Sequence, residues 1–369
     1  MKHCLVVFAA CLFALVSALP VPLSADWSET DLAAAKAYYQ ELDSAGLVVM
    51  HQGRTVIGWG DVSGKYNVAS VRKSLLNSLY GIGYDRGWIR LDKTLGEIGM
   101  DDTDPPLSEQ EKTATIEHLL LSRSGIVHRS LYEAGWWELM PERDEYQPGE
   151  HWIYNNWDFN ALGTIWERES GFTIHDAFDR FIARPLGMQD FTPEDVEYET
   201  RRNLAERIRG NTSDHRLYLF KMSARDLARF GQLYLNEGAW GGEQLLSRQW
   251  IELSMEGEPT AFGSGRFNTL YGYLWWVESP GSGVNRRFDV PGITSRAYAA
   301  TGNRGHYLYI VPACELVVAH TAPVAGGAGA FEQIRRRYFG SDGVEDEQFQ
   351  TLLGLIVGAG RINCSGDFA

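Results

Sequence analysis

Strand-like segments lie toward the two ends of this chain, and a long helical stretch separates them. Near the start, "GLVVMHQGRTVIGWGD" from Gly46 reads as two strands joined by a turn at Gln52 and Gly53. Four more such segments fill the last third: "GYLWWVE", "RAYAATG", "GHYLYIVP" and "ELVVAHT". Between about Leu95 and Leu270 the apolar residues instead recur at helical spacing, as in "TATIEHLLLSRSG", "DFNALGTIWERESG", "IHDAFDRFIARPLG" and "SARDLARFGQLYLNEG". Thr115 is a cap for the first of these and Gly125 its stop. "SETDLAAAKAYYQELD", with Ser28 as a cap, and two C-terminal stretches, "AFEQIRRRYF" and "DEQFQTLLGLIV", add helices at the ends. This distribution predicts an α+β protein. One sheet is assembled from 45–68 and 270–322, with a helical lobe at about 95–265 inserted between them. Short links among the late strands imply antiparallel pairing.

The chain has 369 residues, 44% of them hydrophobic, enough for one large domain or two intimate ones; with one sheet built from both ends, a single domain over 26–369 is expected. Its net charge is −14, and its densest basic run, Arg335 to Arg337, is set among apolar positions of a helical pattern. Phosphate contacts need a basic face, so no nucleic-acid partner is expected. Residues 1–25, with Lys2 and the apolar run from Cys4 to Leu19, read as a secretory signal cleaved after Ala18 or Ala25. An uncleaved anchor is the alternative, although the run is short for a span. The mature protein is expected to be exported, periplasmic or secreted, without a membrane span. Of the four cysteines, Cys314 and Cys364 lie outside the signal; in an oxidising compartment they form a disulfide or stay free.

Several chemistries have no local signature. No serine lies in G-x-S-x-G, and there is no H-E-x-x-H or C-x-x-C. The glycines at Gly58, Gly60 and Gly64 match neither a phosphate loop nor a dinucleotide fingerprint. No metal or cofactor is expected.

Three short motifs remain. Ser70 and Lys73 form S-x-x-K at the start of a helical run, so hydroxyl and amine share one helix face about 5–6 Å apart. A desolvated lysine has an accessible neutral form that can take the serine proton, and a serine at a helix N-terminus directs its own N–H toward a developing oxyanion. Tyr154 and Asn156 form Y-x-N after a Pro-Gly turn: a phenol that can relay a proton and an amide that can hold a carbonyl. Tyr234 and Asn236 spell the same motif but fall within a helical period, and read as helix face and stop. Ala300, Thr301 and Gly302, followed by a turn at Asn303, make an edge strand of small residues that a substrate backbone can approach closely. Taken singly, each motif also fits an ordinary structural role.

In their order and approximate spacing these motifs resemble the serine β-lactamase and penicillin-binding superfamily. The likeness is to class C β-lactamases, family VIII carboxylesterases and 6-aminohexanoate-dimer hydrolases. "SVRKSLLNSLYGI", "HLLLSRSGI", "YGYLWWV" and "GHYLYIVPACELVVAHT" support it, over about Leu47 to Thr321. The resemblance implies an antiparallel sheet flanked by helices, with an all-α lobe and a cleft between them. It implies Ser70 acylated, Lys73 and Tyr154 sharing the base role, Asn156 orienting substrate, and an oxyanion between the N–H groups of Ser70 and a residue near Asn303. One departure matters: β-lactamases usually carry Lys or His before T-G, and this chain has Ala300. Arg296, Arg304 and His306 are the candidates to supply charge instead. Trp136, Trp137, Trp152, Trp157, Trp275 and Trp276 accompany the motifs, as core residues or as an apolar pocket. The expected activity is an exported serine hydrolase for a small ester or linear amide. A β-lactamase or D-alanyl carboxypeptidase, and a non-catalytic envelope binding protein, are the alternatives. The partner is thus a small ester, amide or lactam.

Overall fold

The computed structural model describes residues 27–103, 105–131, 140–199, 213–260, 268–323 and 343–366. Residues 1–25, expected to be a signal, Trp136, Trp137 and the expected helix "AFEQIRRRYF" lie outside the described residues.

Helix α1 (Ala33–Glu41) leads into a hairpin of β1 (Gly46–His51) and β2 (Arg54–Gly60). The hairpin turns at Gln52 and Gly53, both at positive φ, as a tight two-residue turn demands. A short β3 (Tyr66–Asn67) precedes α2 (Val71–Asp85). Next come α3 (Leu95–Ile98), α4 (Ile116–Leu120), α5 (Asn156–Ser170), α6 (Ile174–Phe178) and α7 (Arg184–Leu186), then β4 (Val196–Glu199) and β5 (Leu217–Met222). Helix α8 (Ala224–Leu235), the hairpin of β6 (Ala239–Trp240) and β7 (Glu243–Gln244), and α9 (Arg248–Met255) complete the inserted region. The chain then returns through β8 (Glu258–Pro259), β9 (Leu270–Tyr271), β10 (Trp276–Glu278), β11 (Ala297–Gly302), β12 (His306–Val311) and β13 (Leu316–Thr321) to α10 (Asp346–Gly360).

The main sheet has the strand order β2-β1-β13-β12-β11-β10-β9-β8, so both ends of the chain meet where β1 pairs with β13. Every pairing in it is antiparallel, with Gly46 opposite Thr321 and Gly302 opposite His306. Both faces are covered, which is why β1 and β13 are continuous apolar runs rather than alternating ones. Leu308, Ile310, Val317 and Ala319 join the core under α2 and α8. Their neighbours Tyr309, Val311, Leu316 and Val318 join a second core with residues of α1 and α10. Full burial of each aliphatic side chain contributes about 1.5–3 kcal/mol. Helix α8 lies so close to the sheet that a Cβ at Gly231 would stand 2.6 Å from a methyl of Val317.

Local signals set the ends of several helices. The Thr115 hydroxyl accepts the His118 N–H at the start of α4, and Ser223 does the same for Asp226 at α8. Helix α4 ends at Leu120, before the expected stop, and Gly125 serves the following loop at φ 72°. At the N-terminus, Ser28 caps the turn before α1, its hydroxyl accepting from Asp31 N–H.

Three expectations change. The inserted lobe is not wholly helical: β3, β5 and β4 form a three-stranded sheet, in which Tyr66 faces Met222. Residues 66–67 therefore belong to that sheet and not to the main one, because "LYLFKM" of β5 is an apolar, β-prone run that takes β3 as its partner. The second part of the main sheet, expected from 270, begins earlier, at Glu258. Finally, "GYLWWVE" splits: residues 272–275 make a turn, with Leu274 at φ 63°, and β10 starts only at Trp276.

Candidate active site

The short β3 strand delivers the chain to the site. Val68 N–H donates to Phe220 O, and Ala69 then adopts φ +47°, with its N–H held by the Asn67 side chain at 3.0 Å. A left-handed alanine costs on the order of 1 kcal/mol, and such positions cluster at functional sites. This sharp corner sets Ser70 at the N-terminus of α2, at the positive end of the helix dipole. Serines there commonly cap the helix; the Ser70 side chain makes no capping bond. Its Oγ instead lies 2.7 Å from Lys73 Nζ.

Helix α2 is buried from Val71 to Gly83, so its polar side chains need internal partners. Asn77 donates to Tyr273 O at 2.8 Å and Ser254 Oγ at 3.0 Å. It accepts from Tyr234 OH at 2.6 Å and Trp250 Nε1 at 3.2 Å, so all four of its hydrogen-bonding positions are filled. Ser74 donates to Leu274 O at 2.7 Å. These bonds tie the helix to the 272–275 turn and hold its N-terminus in place. They also account for Tyr234, whose motif is structural.

Tyr154 arrives from the start of α5. Asn155 caps that helix through its Oδ1, which accepts Trp157 N–H at 2.6 Å, while its amide donates to Ile126 O at 2.7 Å. Ile153 N–H is anchored on Ser122 O at 2.7 Å. The half-buried phenol thus comes within 2.8 Å of Lys73 Nζ. Its ring stacks on Trp276 at 5.9 Å and is edged by Tyr271 and Phe159. Lys73 is 2% exposed, and its Nζ stands 4.5 Å from the Phe159 ring centre. Burial pushes the Tyr154 phenol above its usual range; a hydrogen bond with Ser70 and the positive fields of Arg72 and Arg287 pull it back.

The third motif lies beside the corner. A Cβ at Gly302 would stand 2.2 Å from Val68 O, so only glycine lets β11 pack against the loop that leads to Ser70. The sequence suggested an edge strand; β11 is interior, between β10 and β12. Its ladder with β10 nevertheless ends at Ala299, so among the described residues no strand lies beyond 300–302 on that side. Ala300 is buried against the α2 core, Thr301 is 8% exposed, and Asn303 is exposed in the turn. Asn156 is buried in the first turn of α5.

Of the tryptophans, Trp152 and Trp276 wall in Tyr154, whereas Trp157 and Trp275 are core. Of the candidate cations, Arg296 donates to the carbonyls of Met255 and Glu256. His306 is fully buried, and burial holds its imidazole down at about 3. Sequence reasoning missed Arg287, whose guanidinium lies 4.8 Å from the Trp276 ring centre and pairs with Asp346 at 2.8 Å. It also missed Arg72, although this residue stands between Ser70 and Lys73. Neither carries a positional signal in the chain.

The beta-lactamase family model matches residues 32–338. An uncharacterized protein of Alkalihalophilus pseudofirmus is 25% identical over 285 residues, covering 73% of this chain and 77% of the relative. Among solved structures, a Bacillus anthracis protein described as a 6-aminohexanoate-dimer hydrolase superposes with TM-score 0.57 at 20% identity, over 82% of this chain and 80% of its own. A class C β-lactamase of Rhodobacter sphaeroides gives 0.57 at 16% identity, over 89% of this chain and 99% of its own. These two structures share the fold: a helix-flanked antiparallel sheet with an inserted, mainly helical lobe. With a family match across most of its length and that fold, the chain belongs to the beta-lactamase family.

Proposed function

We propose that this protein is a serine hydrolase that forms an acyl-enzyme on Ser70 and acts on a small ester or linear amide. One observation carries the reading: Lys73 Nζ lies within hydrogen-bond distance of both Ser70 Oγ and Tyr154 OH. In its neutral form the amine takes the serine proton as Oγ attacks the carbonyl. Tyr154, bonded to the same amine, relays that proton to the departing alcohol or amine. Water then releases the acid by the reverse path. The N–H of Ser70, at the head of α2, and an N–H near Asn303 are the proposed oxyanion donors. Asn156 and residues 300–302 are the proposed substrate contacts.

Ala300, where a charged residue would favour a carboxylate-bearing lactam or peptide, supports the ester or linear amide over a β-lactam or D-alanyl substrate. The aromatic wall of Trp152, Tyr271 and Trp276 around Tyr154 supports it too. The structural likeness to a protein described as a 6-aminohexanoate-dimer hydrolase agrees with a linear amide. Export is part of the proposal, supported by the Cys314–Cys364 disulfide. The test is a fluorophosphonate label followed by peptide mass spectrometry, then rates on nitrophenyl esters, a linear amide, a chromogenic cephalosporin and a D-Ala-D-Ala peptide. An adduct on Ser70 with fastest turnover of an ester or amide is expected. No adduct would favour a binding protein, and a preference for the cephalosporin or peptide would overturn the substrate class.

A further inference from the structure

Arg72 is 2% exposed, and none of the described carboxylates lies within ion-pair distance of it. Its Nη2 donates to Asn160 Oδ1 at 3.1 Å, its guanidinium carbon lies 4.4 Å from the Tyr218 ring centre, and its Nη1 has no hydrogen-bond partner among the described residues. Stability does not explain such a residue. A buried charge without a counter-charge is costly, and an apolar side chain of similar size would pack there more cheaply. The neighbouring residue in the chain is Lys73.

We infer that Arg72 is a positioning residue for the proton chemistry of Ser70, Lys73 and Tyr154: its buried, uncompensated guanidinium is the fixed positive charge that keeps this trio one proton short. The inference rests on the acyl-enzyme reading above. A cation in a desolvated site repels a second one, so the state with a neutral Lys73, able to accept the Ser70 proton, gains population. The same field acts on Tyr154. Other groups around the trio do not replace it. Tyr218 of β5 and Tyr271 of β9 are neutral, their phenols pushed up by burial. His306 of β12 is neutral for the same reason. Asp158 of α5 is turned toward Ser124, which donates to it at 2.7 Å. Among the described residues, Arg287 is the other cation acting on Tyr154, and Asp346 answers its charge at 2.8 Å. With Ala300 where a cation would otherwise stand on β11, the uncompensated charge is on α2.

The experiment is the rate of Ser70 phosphonylation by a fluorophosphonate between pH 5 and pH 10, on the full chain, for wild type, Arg72→Gln, Arg72→Lys and Arg287→Gln. Because the trio shares its protons, the acidic limb belongs to the set and not to one residue. In Arg72→Gln that limb moves up by about one pH unit or more, so labelling below it slows roughly tenfold and recovers in base. Arg72→Lys keeps the charge and holds the limb near its wild-type position, even if the Gln variant folds poorly. Arg287→Gln moves it less than Arg72→Gln does. An unmoved limb in Arg72→Gln, or a loss of rate equal at all pH in both Arg72 variants, gives Arg72 a structural role and overturns the inference alone. A wild type that is not labelled at any pH overturns the acyl-enzyme reading and this inference with it.

Discussion

Lys73 meets Tyr154 across 81 residues of chain: its Nζ stands 2.8 Å from the phenol oxygen and 4.7 Å from the centre of the ring. The same amine holds Ser70 Oγ at 2.7 Å. One buried nitrogen therefore links a hydroxyl at a helix N-terminus to a phenol at the start of another helix.

Replacing Tyr154 by Phe keeps the ring against Trp276 and removes only the hydroxyl. We expect kcat/KM on an ester substrate to fall by about 10²–10⁴, the usual worth of a positioned proton carrier, while the melting temperature moves by only a few degrees. Steady-state kinetics beside a thermal unfolding curve measure both. Near-wild-type turnover would remove Tyr154 from the mechanism.

Asn77 is structural by its contacts: it satisfies Tyr273 O, Ser254, Tyr234 and Trp250 at once. Asn77→Leu leaves these buried groups without a partner, and the expected loss is about 2–5 kcal/mol in urea unfolding. A change below about 1 kcal/mol would mean that water or a shift of α9 restores the bonds.

Glu278 faces into the second core, where burial lifts its carboxyl to about 7 despite Phe288 N–H and Arg286 nearby. The folded state therefore binds this proton more tightly than the unfolded chain does. Stability from this group is fully present below about 4.5 and declines as pH rises toward 7. The wild type minus Glu278→Gln difference in unfolding free energy should fall by roughly 3 kcal/mol across that window. A flat difference would show the carboxyl ionised at ordinary pH.

Cys314 and Cys364 are bonded and close a loop spanning 50 positions of sequence. Chain-entropy reasoning gives such a crosslink about 4 kcal/mol of stabilisation. Cys364→Ser should lower the unfolding free energy by an amount of that order, and dithiothreitol should lower the wild-type midpoint but not that of the variant. Equal midpoints for wild type and variant without reductant would argue that the bridge does not form in the purified protein.

Much of this protein was legible along the chain because the relevant physics is local. Alternation and apolar runs marked β1, β2, β11, β12 and β13, and the 3.6-residue period marked α5 and α8. Caps such as Thr115 act within one turn. The order of three short motifs sufficed to suggest a family, and the helical setting of Tyr234 separated it from Tyr154. Composition with charge argued against a nucleic-acid partner.

Other features exist only once distant segments pack. That β3 belongs with β5 depends on a partner some 150 positions away, and no local pattern encodes that choice. The left-handed corner at Ala69 comes from an alanine, a residue that gives no warning of positive φ, and it persists because Asn67 and Phe220 hold both sides of it. Whether β11 is open depends on where its ladder with β10 stops. Burial decided the rest: Arg72 and Lys73 are charged letters in the sequence, and only the enclosing core leaves each of them 2% exposed.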